Sequence, residues 1–211
     1  MHNYITGVIM SHTYTTISNA PATRSRNINP FCFWEGAFNE EELSKILEIM
    51  KKIPLEESLI GNKETNNNIR RSQVAFHFPN EENKWIYERL NTIIEHLNFQ
   101  FYNFDLNGYD RLQYGEYNQK DQGTYGWHID SAFGTGEECE DRKLSLTLML
   151  NDDFEGGDFE IIYGKFDEPI KIPKEKGKII VFPSFLFHRV TPVTRGVRKS
   201  IVAWVVGPKF R

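Results

Sequence analysis

The residues with the most pointed chemistry lie in Gly126-Trp127-His128-Ile129-Asp130-Ser131. The segment reads as a β-strand. Residues two apart on a strand face the same way, so the His128 imidazole and the Asp130 carboxylate project side by side, as two ligands of one metal ion would. A bare His-x-Asp arises often by chance, and a strand histidine is more often a hydrogen-bonded structural residue than a ligand. A third ligand is therefore needed. His188, in Phe185-Leu186-Phe187-His188-Arg189-Val190, 60 residues on, is the strongest candidate. His2, His12, His77 and His96 compete for the role. The first two sit in a polar N-terminal stretch, His96 on an expected helix, and His77 in an aromatic strand; the default for all four is structural or exposed. Two His and one carboxylate on one side of a metal leave positions open, which suits non-haem Fe(II) oxygenase chemistry, although such a set also accepts Mn, Ni, Zn or Co.

Arg198 opens a run, Arg198-Lys199-Ser200-Ile201-Val202-Ala203-Trp204, that reads as a buried strand. A buried guanidinium needs an anionic partner, and its fork matches a carboxylate bidentately. An H-x-D, a distal His and an Arg-x-Ser ten residues later together resemble the Fe(II)/2-oxoglutarate-dependent dioxygenases. The branch most resembled is the prolyl 4-hydroxylase-like one, which includes the bacterial and phage PKHD-type hydroxylases. The strand Lys143–Asn151, the acidic turn with Gly156-Gly157 and the Val-x-Pro-Val after His188 agree with that branch, and the resemblance covers roughly residues 30–211.

The resemblance implies a metal held by His128, Asp130 and His188, with Fe(II), 2-oxoglutarate and O2 as the reacting set and ascorbate as an optional reductant. It makes Arg198 the anchor for the distal carboxylate of 2-oxoglutarate, with the Ser200 hydroxyl beside it. A tyrosine before the H-x-D donates to the same carboxylate in the family; Tyr114 and Tyr117 both compete, and Tyr117 fits the family spacing better. A second family tyrosine position falls at Met149, which would only pack. The implied reaction is hydroxylation of an unactivated C–H with succinate and CO2 as co-products, and the implied substrate is a prolyl residue in a peptide or protein. A free amino acid, a small metabolite or a nucleobase as substrate is the alternative within the class. A non-redox, cupin-like metal-binding module is the alternative outside it, and it would need no anchor such as Arg198.

The 211 residues suffice for one domain, and 39% hydrophobic with 14% aromatic residues is ample for a packed core. A net charge of −4, from 29 acidic and 25 basic residues, argues against a nucleic-acid partner bound by phosphate neutralisation. Cys32 and Cys139 are too few and too far apart for a disulfide scaffold or a zinc knuckle. No window reaches the length of a membrane span, and residues 1–22, despite an apolar patch at Tyr4–Met10, lack the basic region and the longer apolar run of a signal peptide. The default location is cytoplasmic, in a bacterial or phage-infected cell if the resemblance holds. No feature specifies an oligomeric state.

The positioning elements follow from periodicity. Residues 1–29 form an N-terminal arm and 30–211 the oxygenase domain, with helical support over about 39–97 and a β core over about 101–211. Asn39 caps a helix whose first turn holds Glu40, Glu41 and Glu42, and Leu43, Ile46, Leu47 and Met50 make its apolar face. Residues 56–68 read as a polar loop, 70–78 as a strand, and about 82–97 as a second helix. Short strands are expected at 101–105, 109–117, 124–131, 143–151, 157–163, 169–173, 177–183, 187–193 and 198–206, separated by turn residues. Arg70, Arg71 and Ser72 read equally as a substrate-closing strand or an exposed basic turn, and Glu137, Glu138, Glu140 and Asp141 as a solvated loop. The fold class is α+β, mainly β: two helices bracing a double-stranded β-helix, or jelly roll.

Overall fold

The computed structural model describes residues 30–58, 69–131, 140–165 and 167–210. The arm expected over 1–29, with His2 and His12, lies outside the described residues, as do Glu137, Glu138 and Cys139.

β1 (Cys32–Trp34) leads to α1 (Glu40–Met50). A capping box fixes the helix start: the Asn39 side chain accepts from the Glu42 N–H at 2.9 Å, and the Glu42 carboxylate accepts from the Asn39 N–H at 2.9 Å. β2 (Glu56–Glu57), β3 (Arg70–Arg71) and β4 (Gln73–His77) precede α2 (Lys84–Leu97). β2 lies where a loop is expected; its two exposed glutamates carry no apolar pattern, and only pairing with β4 makes it a strand. Before α2, the Asn80 side chain accepts from the Glu82 and Asn83 N–H groups while Asn83 donates to the Phe78 carbonyl.

The strand expected over 101–105 is absent. Asn98–Tyr102 instead closes α2 as a π-helical turn, ended by Asn103 at φ 56°. The Asn98 side chain accepts from the Phe104 N–H and donates to its carbonyl, which bends the chain back. The aromatic run that mimics a strand serves packing: Tyr102 is buried and its hydroxyl donates to the Val181 carbonyl at 2.9 Å.

The β core then runs through β5 (Gly108–Asn118), β6 (Thr124–His128), β7 (Glu140–Met149), β8 (Glu155–Gly156), β9 (Phe159–Ile161), β10 (Ile170–Ile172), β11 (Ile179–Pro183), β12 (His188–Val190), β13 (Val193–Arg195) and β14 (Val197–Pro208). A seven-stranded sheet has the order β1-β11-β7-β14-β5-β4-β2 and a five-stranded sheet the order β10-β9-β12-β6-β3; β13 and β8 form a ribbon. The strand pairs are antiparallel.

Strand alternation sorts side chains between two cores. Leu144, Leu146 and Leu148 of β7 face outward, with Leu112, Tyr114, Ile201 and Ala203, and meet Ile46 and Met50 of α1 and Ile86, Leu90 and Leu97 of α2. Phe31, Phe33, Tyr117, Phe159, Ile161, Phe182 and Val190 fill the space between the sheets. The intervening β7 residues Ser145, Thr147 and Met149 therefore point into the sandwich, where the site lies. The fold is the jelly roll expected from the sequence, with both helices against the outer face of the larger sheet. Among the described residues no helix is long and apolar enough to cross a membrane.

His77 is structural. It is buried, and its Nε2 lies 3.1 Å from the Met50 carbonyl, tying β4 to the end of α1. Burial pushes its pKa down, which keeps the ring neutral and the nitrogen a donor to that carbonyl. His96 packs edge-on against Trp34 at 5.5 Å.

Candidate metal and carboxylate site

His128 is the last residue of β6 and pairs directly with His188, the first of β12. Their ring centroids are 4.1 Å apart. The strand does not continue through Asp130, as the sequence pattern suggests it should. It bends after His128, and the Asp130 and Ser131 N–H groups both donate to the Ser184 carbonyl, at 2.8 and 3.1 Å. This bend turns the carboxylate between the imidazoles. Oδ1 is 3.5 Å from His128 Nε2 and Oδ2 is 3.4 Å from His188 Nε2. One donor atom from each of the three residues lies within 4.8 Å of the others.

The donor set suits a divalent cation. His128 Nδ1 is 2.8 Å from the Gly126 carbonyl and His188 Nδ1 is 2.9 Å from the Leu186 carbonyl. Each carbonyl takes an Nδ1–H, which leaves the Nε2 lone pair facing the gap beside Asp130. Burial pushes His188 down to about 4, against the opposing pull of Asp130, so its ring is neutral at pH 7. Burial also works to raise the Asp130 carboxyl, but His188, His128 and the Ser145 hydroxyl together outweigh it and hold the group well below the usual carboxylate range. Ser145 donates to Asp130 Oδ2 at 2.6 Å and lies 3.0 Å from Ser184.

Aromatic rings enclose the ligands. Tyr125 stacks on His128 at 3.5 Å, and Phe159 and Phe182 flank His188 at 5.6 and 4.8 Å. Behind Tyr125 lies Arg70, only 7% exposed, its guanidinium 4.5 Å from the ring and its Nε donating to Ser72. The exposed-turn alternative for Arg70 is thus wrong: β3 pairs with β6, which sets Arg70 opposite Tyr125. Trp127, on the other face of β6, packs under Arg189 at 4.5 Å. Trp204 faces inward beneath Arg142 at 4.0 Å.

Arg198 is 2% exposed. Its Nη1 donates to the Ser200 hydroxyl at 2.8 Å, and its Nη2 meets the Met149 sulfur at 3.4 Å. Nε is buried with no partner, and among the described residues no carboxylate forms an ion pair with the guanidinium. Burial pushes its pKa down, with Tyr117 opposing, yet an arginine stays charged in any protein. An uncompensated cation this deep costs several kcal/mol, and an anion with carboxylate geometry would offset that cost. The Tyr117 ring lies 5.3 Å from the guanidinium, since Tyr117 and Arg198 are cross-strand partners. Tyr114 is on the opposite face of β5, packed against the helices with its hydroxyl on Glu116; the structure does not bring it to Arg198. Met149 does more than pack: its sulfur is a weak acceptor for Arg198.

Sequence reasoning missed Tyr125 and Ser145, and took Gly157 only as part of a turn. Ser145 was findable, as a small polar residue alternating with Leu144, Leu146 and Leu148 on β7. Gly157 has φ +58°, and a Cβ there would sit 2.9 Å from Val193 Cγ2 and 3.2 Å from Arg198 Cδ. A left-handed non-glycine residue costs about 1–2 kcal/mol, which converts to a melting shift of about 2–8 °C in a chain of this size. Gly157→Ala is therefore expected to melt lower and, by displacing the Arg198 stem, to weaken any hold on the 2-oxoglutarate that the resemblance implies. Thermal melts with a 2-oxoglutarate titration check this; an unchanged midpoint with unchanged affinity would contradict it.

The comparisons with known proteins agree with this geometry. The family model of the 2OG-Fe(II) oxygenase superfamily matches residues 112–206, which include His128, Asp130, His188 and Arg198. A PKHD-type hydroxylase of Thermosynechococcus vestitus is 42% identical over 84 residues, covering 38% of this chain and 37% of that protein. The chain thus spans under two fifths of the length of such curated relatives. A prolyl-4-hydroxylase of Pseudomonas putida superposes with a TM-score of 0.68 at 17% identity, over 83% of this chain and 92% of that one. A prolyl hydroxylase from Trichoplax adhaerens, solved with a hypoxia inducible factor oxygen degradation domain peptide fragment, gives a TM-score of 0.69 at 19% identity, over 84% and 83% of the two chains. At such identities the superpositions speak for the fold alone, while residues 112–206, just under half of the chain, are similar to the 2OG-Fe(II) oxygenase superfamily.

Proposed function

We propose that this chain is an Fe(II)- and 2-oxoglutarate-dependent oxygenase that hydroxylates an unactivated C–H bond, on a prolyl residue of a peptide or protein. The observation that carries the reading is the pairing of a His-Asp-His donor set with a buried, carboxylate-free Arg198 in one sandwich. His128, Asp130 and His188 would hold the metal. Arg198, Ser200 and Tyr117 would receive the distal carboxylate of 2-oxoglutarate. Bound iron with 2-oxoglutarate and O2 would supply the oxidising chemistry, with succinate and CO2 as co-products.

The protein's own contribution is binding, orientation and exclusion of water. The carbonyls behind each Nδ1 fix the ligand rings, Ser145 fixes the carboxylate, and Phe159, Phe182 and Tyr125 keep the surroundings apolar. A cupin-like binding module has no use for Arg198, which costs stability unless an anion meets it. The choice of a prolyl residue draws on the PKHD-type relatives and on the peptide held by the Trichoplax neighbour.

The test has two parts. Anaerobic titration of Fe(II)-loaded protein with 2-oxoglutarate is expected to give a weak visible charge-transfer band, and its absence would remove the oxygenase reading. Succinate release is then measured with proline-containing peptides and with free amino acids. Stimulation by peptides is expected; stimulation by the small molecules alone would overturn the prolyl assignment and leave the oxygenase.

A further inference from the structure

Phe76 and Phe78, on β4 and just past it, are 40% and 60% exposed, and both rings lie under the Arg111 guanidinium, at 5.2 and 5.9 Å. Aromatic side chains of this size usually leave the surface. These two are held in place by a planar cation, which orders them without covering them.

Their position gives them a use. Cross-strand partners share a face, and the register runs Phe76↔Gln113, Gln113↔Val202, Val202↔Thr147 and Thr147↔Ile180. Ile180 belongs to the cluster between the sheets, so the whole row, Phe76 included, lies on the inner face of the seven-stranded sheet. One row along β7 from Thr147 is Ser145, bonded to Asp130. The five-stranded sheet ends at β3, and the Phe76 end of the row reaches solvent: Gln113 is 4% exposed and Phe76, beside it, 40%. The floor of the metal site thus continues, strand by strand, into an exposed aromatic shelf.

We propose that this shelf docks the flank of the substrate chain: an extended segment whose proline or other apolar side chain lies on Phe76 and Phe78, four to five residues from the residue that reacts. The inference rests on the peptidyl reading above. The spacing follows from the sheet. β7 and β4 are three strands apart, about 14 Å at roughly 4.8 Å per strand, and an extended or polyproline II chain advances about 3.1–3.3 Å per residue. The occupant follows from the surface: aromatic-lined grooves take preformed proline-rich chain at low entropic cost, and the Phe76–Arg111–Phe78 arrangement offers flat faces rather than a deep pocket.

The experiment uses the Fe(II)-loaded full chain and peptides with one reacting proline and one proline or leucine placed two to eight residues away on either side, the rest being Gly and Ser. The wild type is expected to show its lowest KM at a separation of four to five residues. Phe76→Ser/Phe78→Ser is expected to raise that KM about tenfold, to leave the KM of the anchor-free peptide unchanged, and to keep the 2-oxoglutarate charge-transfer band. Phe78→Ser alone, at the more exposed position, gives a smaller rise and guards against a folding defect in the double variant. Equal KM values for wild type and variants across the series would overturn the shelf while leaving the peptidyl reading in place. Self-association of the wild type that the double variant abolishes would reassign the shelf to a second copy of the chain and overturn the proposal. A wild type that turns over no peptide while keeping the band would overturn the peptidyl reading itself, and the shelf with it.

Discussion

Arg198→Met is expected to weaken 2-oxoglutarate binding about 100- to 4000-fold while leaving the ligand-free protein at least as stable as the wild type. The two halves of that result have one cause. The guanidinium is 2% exposed, touches Ser200, Met149 and the Tyr117 ring, and leaves Nε without a partner. Without the cosubstrate it is a desolvated cation facing no carboxylate among the described residues; replacing even a buried ion pair with apolar side chains of similar volume is often neutral or stabilising by about 1–4 kcal/mol, and a cation with no partner has less attraction to lose. The Ser200 hydroxyl loses a partner, a cost of about 1 kcal/mol that subtracts from this gain. With the cosubstrate the sign reverses. Removing one side of a buried, hydrogen-bonded charge pair costs about 3–5 kcal/mol, which at 1.4 kcal/mol per decade gives the stated loss of affinity. Melting curves with and without 2-oxoglutarate read both effects in one preparation. A variant that melts several degrees lower in the absence of ligand would show Arg198 to be a structural residue, and an unchanged affinity would remove it from the cosubstrate site.

The site was legible because its chemistry lies in short spacings on one kind of element. His128, His188 and Arg198 fall on strands that the apolar alternation marks, and the capped α1 and the stripe on α2 follow from periodicity. What could not be read depends on tertiary partners. The bend at Asp130 exists because Ser184, more than fifty residues away, accepts two N–H groups. Tyr114 and Tyr117 have the same side chain, and only the register of β5 against β14 puts Tyr117 beside Arg198 and Tyr114 behind the sheet. The 101–105 stretch has strand composition but spends its aromatic residues on a turn, because Asn98 brackets Phe104 and Tyr102 reaches Val181. Arg70 is basic and follows a polar stretch, which left an exposed turn as open as a strand; its burial comes from the pairing of β3 with β6.

Asp130→Asn is expected to abolish metal-dependent stabilisation and with it 2-oxoglutarate turnover, while leaving the metal-free fold intact. The side chain keeps its volume and an oxygen for Ser145, so neither the bend nor the packing has reason to change. The charge is what is lost. In the metal-free protein that charge is a buried anion beside a neutral His188, just as Arg198 is a buried cation without an anion. The space between the sheets thus holds a buried anion at Asp130, suited to a divalent cation, and a buried cation at Arg198, suited to a carboxylate, and each ligand relieves the charge that its own pocket holds. Altering a residue that only supports a metal ligand typically costs about 10- to 100-fold in affinity, so neutralising the ligand that supplies the negative charge is expected to cost more than about 100-fold. At a metal concentration 100 times its Kd the wild type gains about 2.7 kcal/mol, which is about 5–11 °C in a chain of this size. Asp130→Asn should show almost none of that gain at the same concentration. Thermal melts against Fe(II), or Mn(II) as an air-stable substitute, give the result directly. A full metal-induced shift in the variant would mean that the ion binds elsewhere, and the His-Asp-His cluster would lose its assignment.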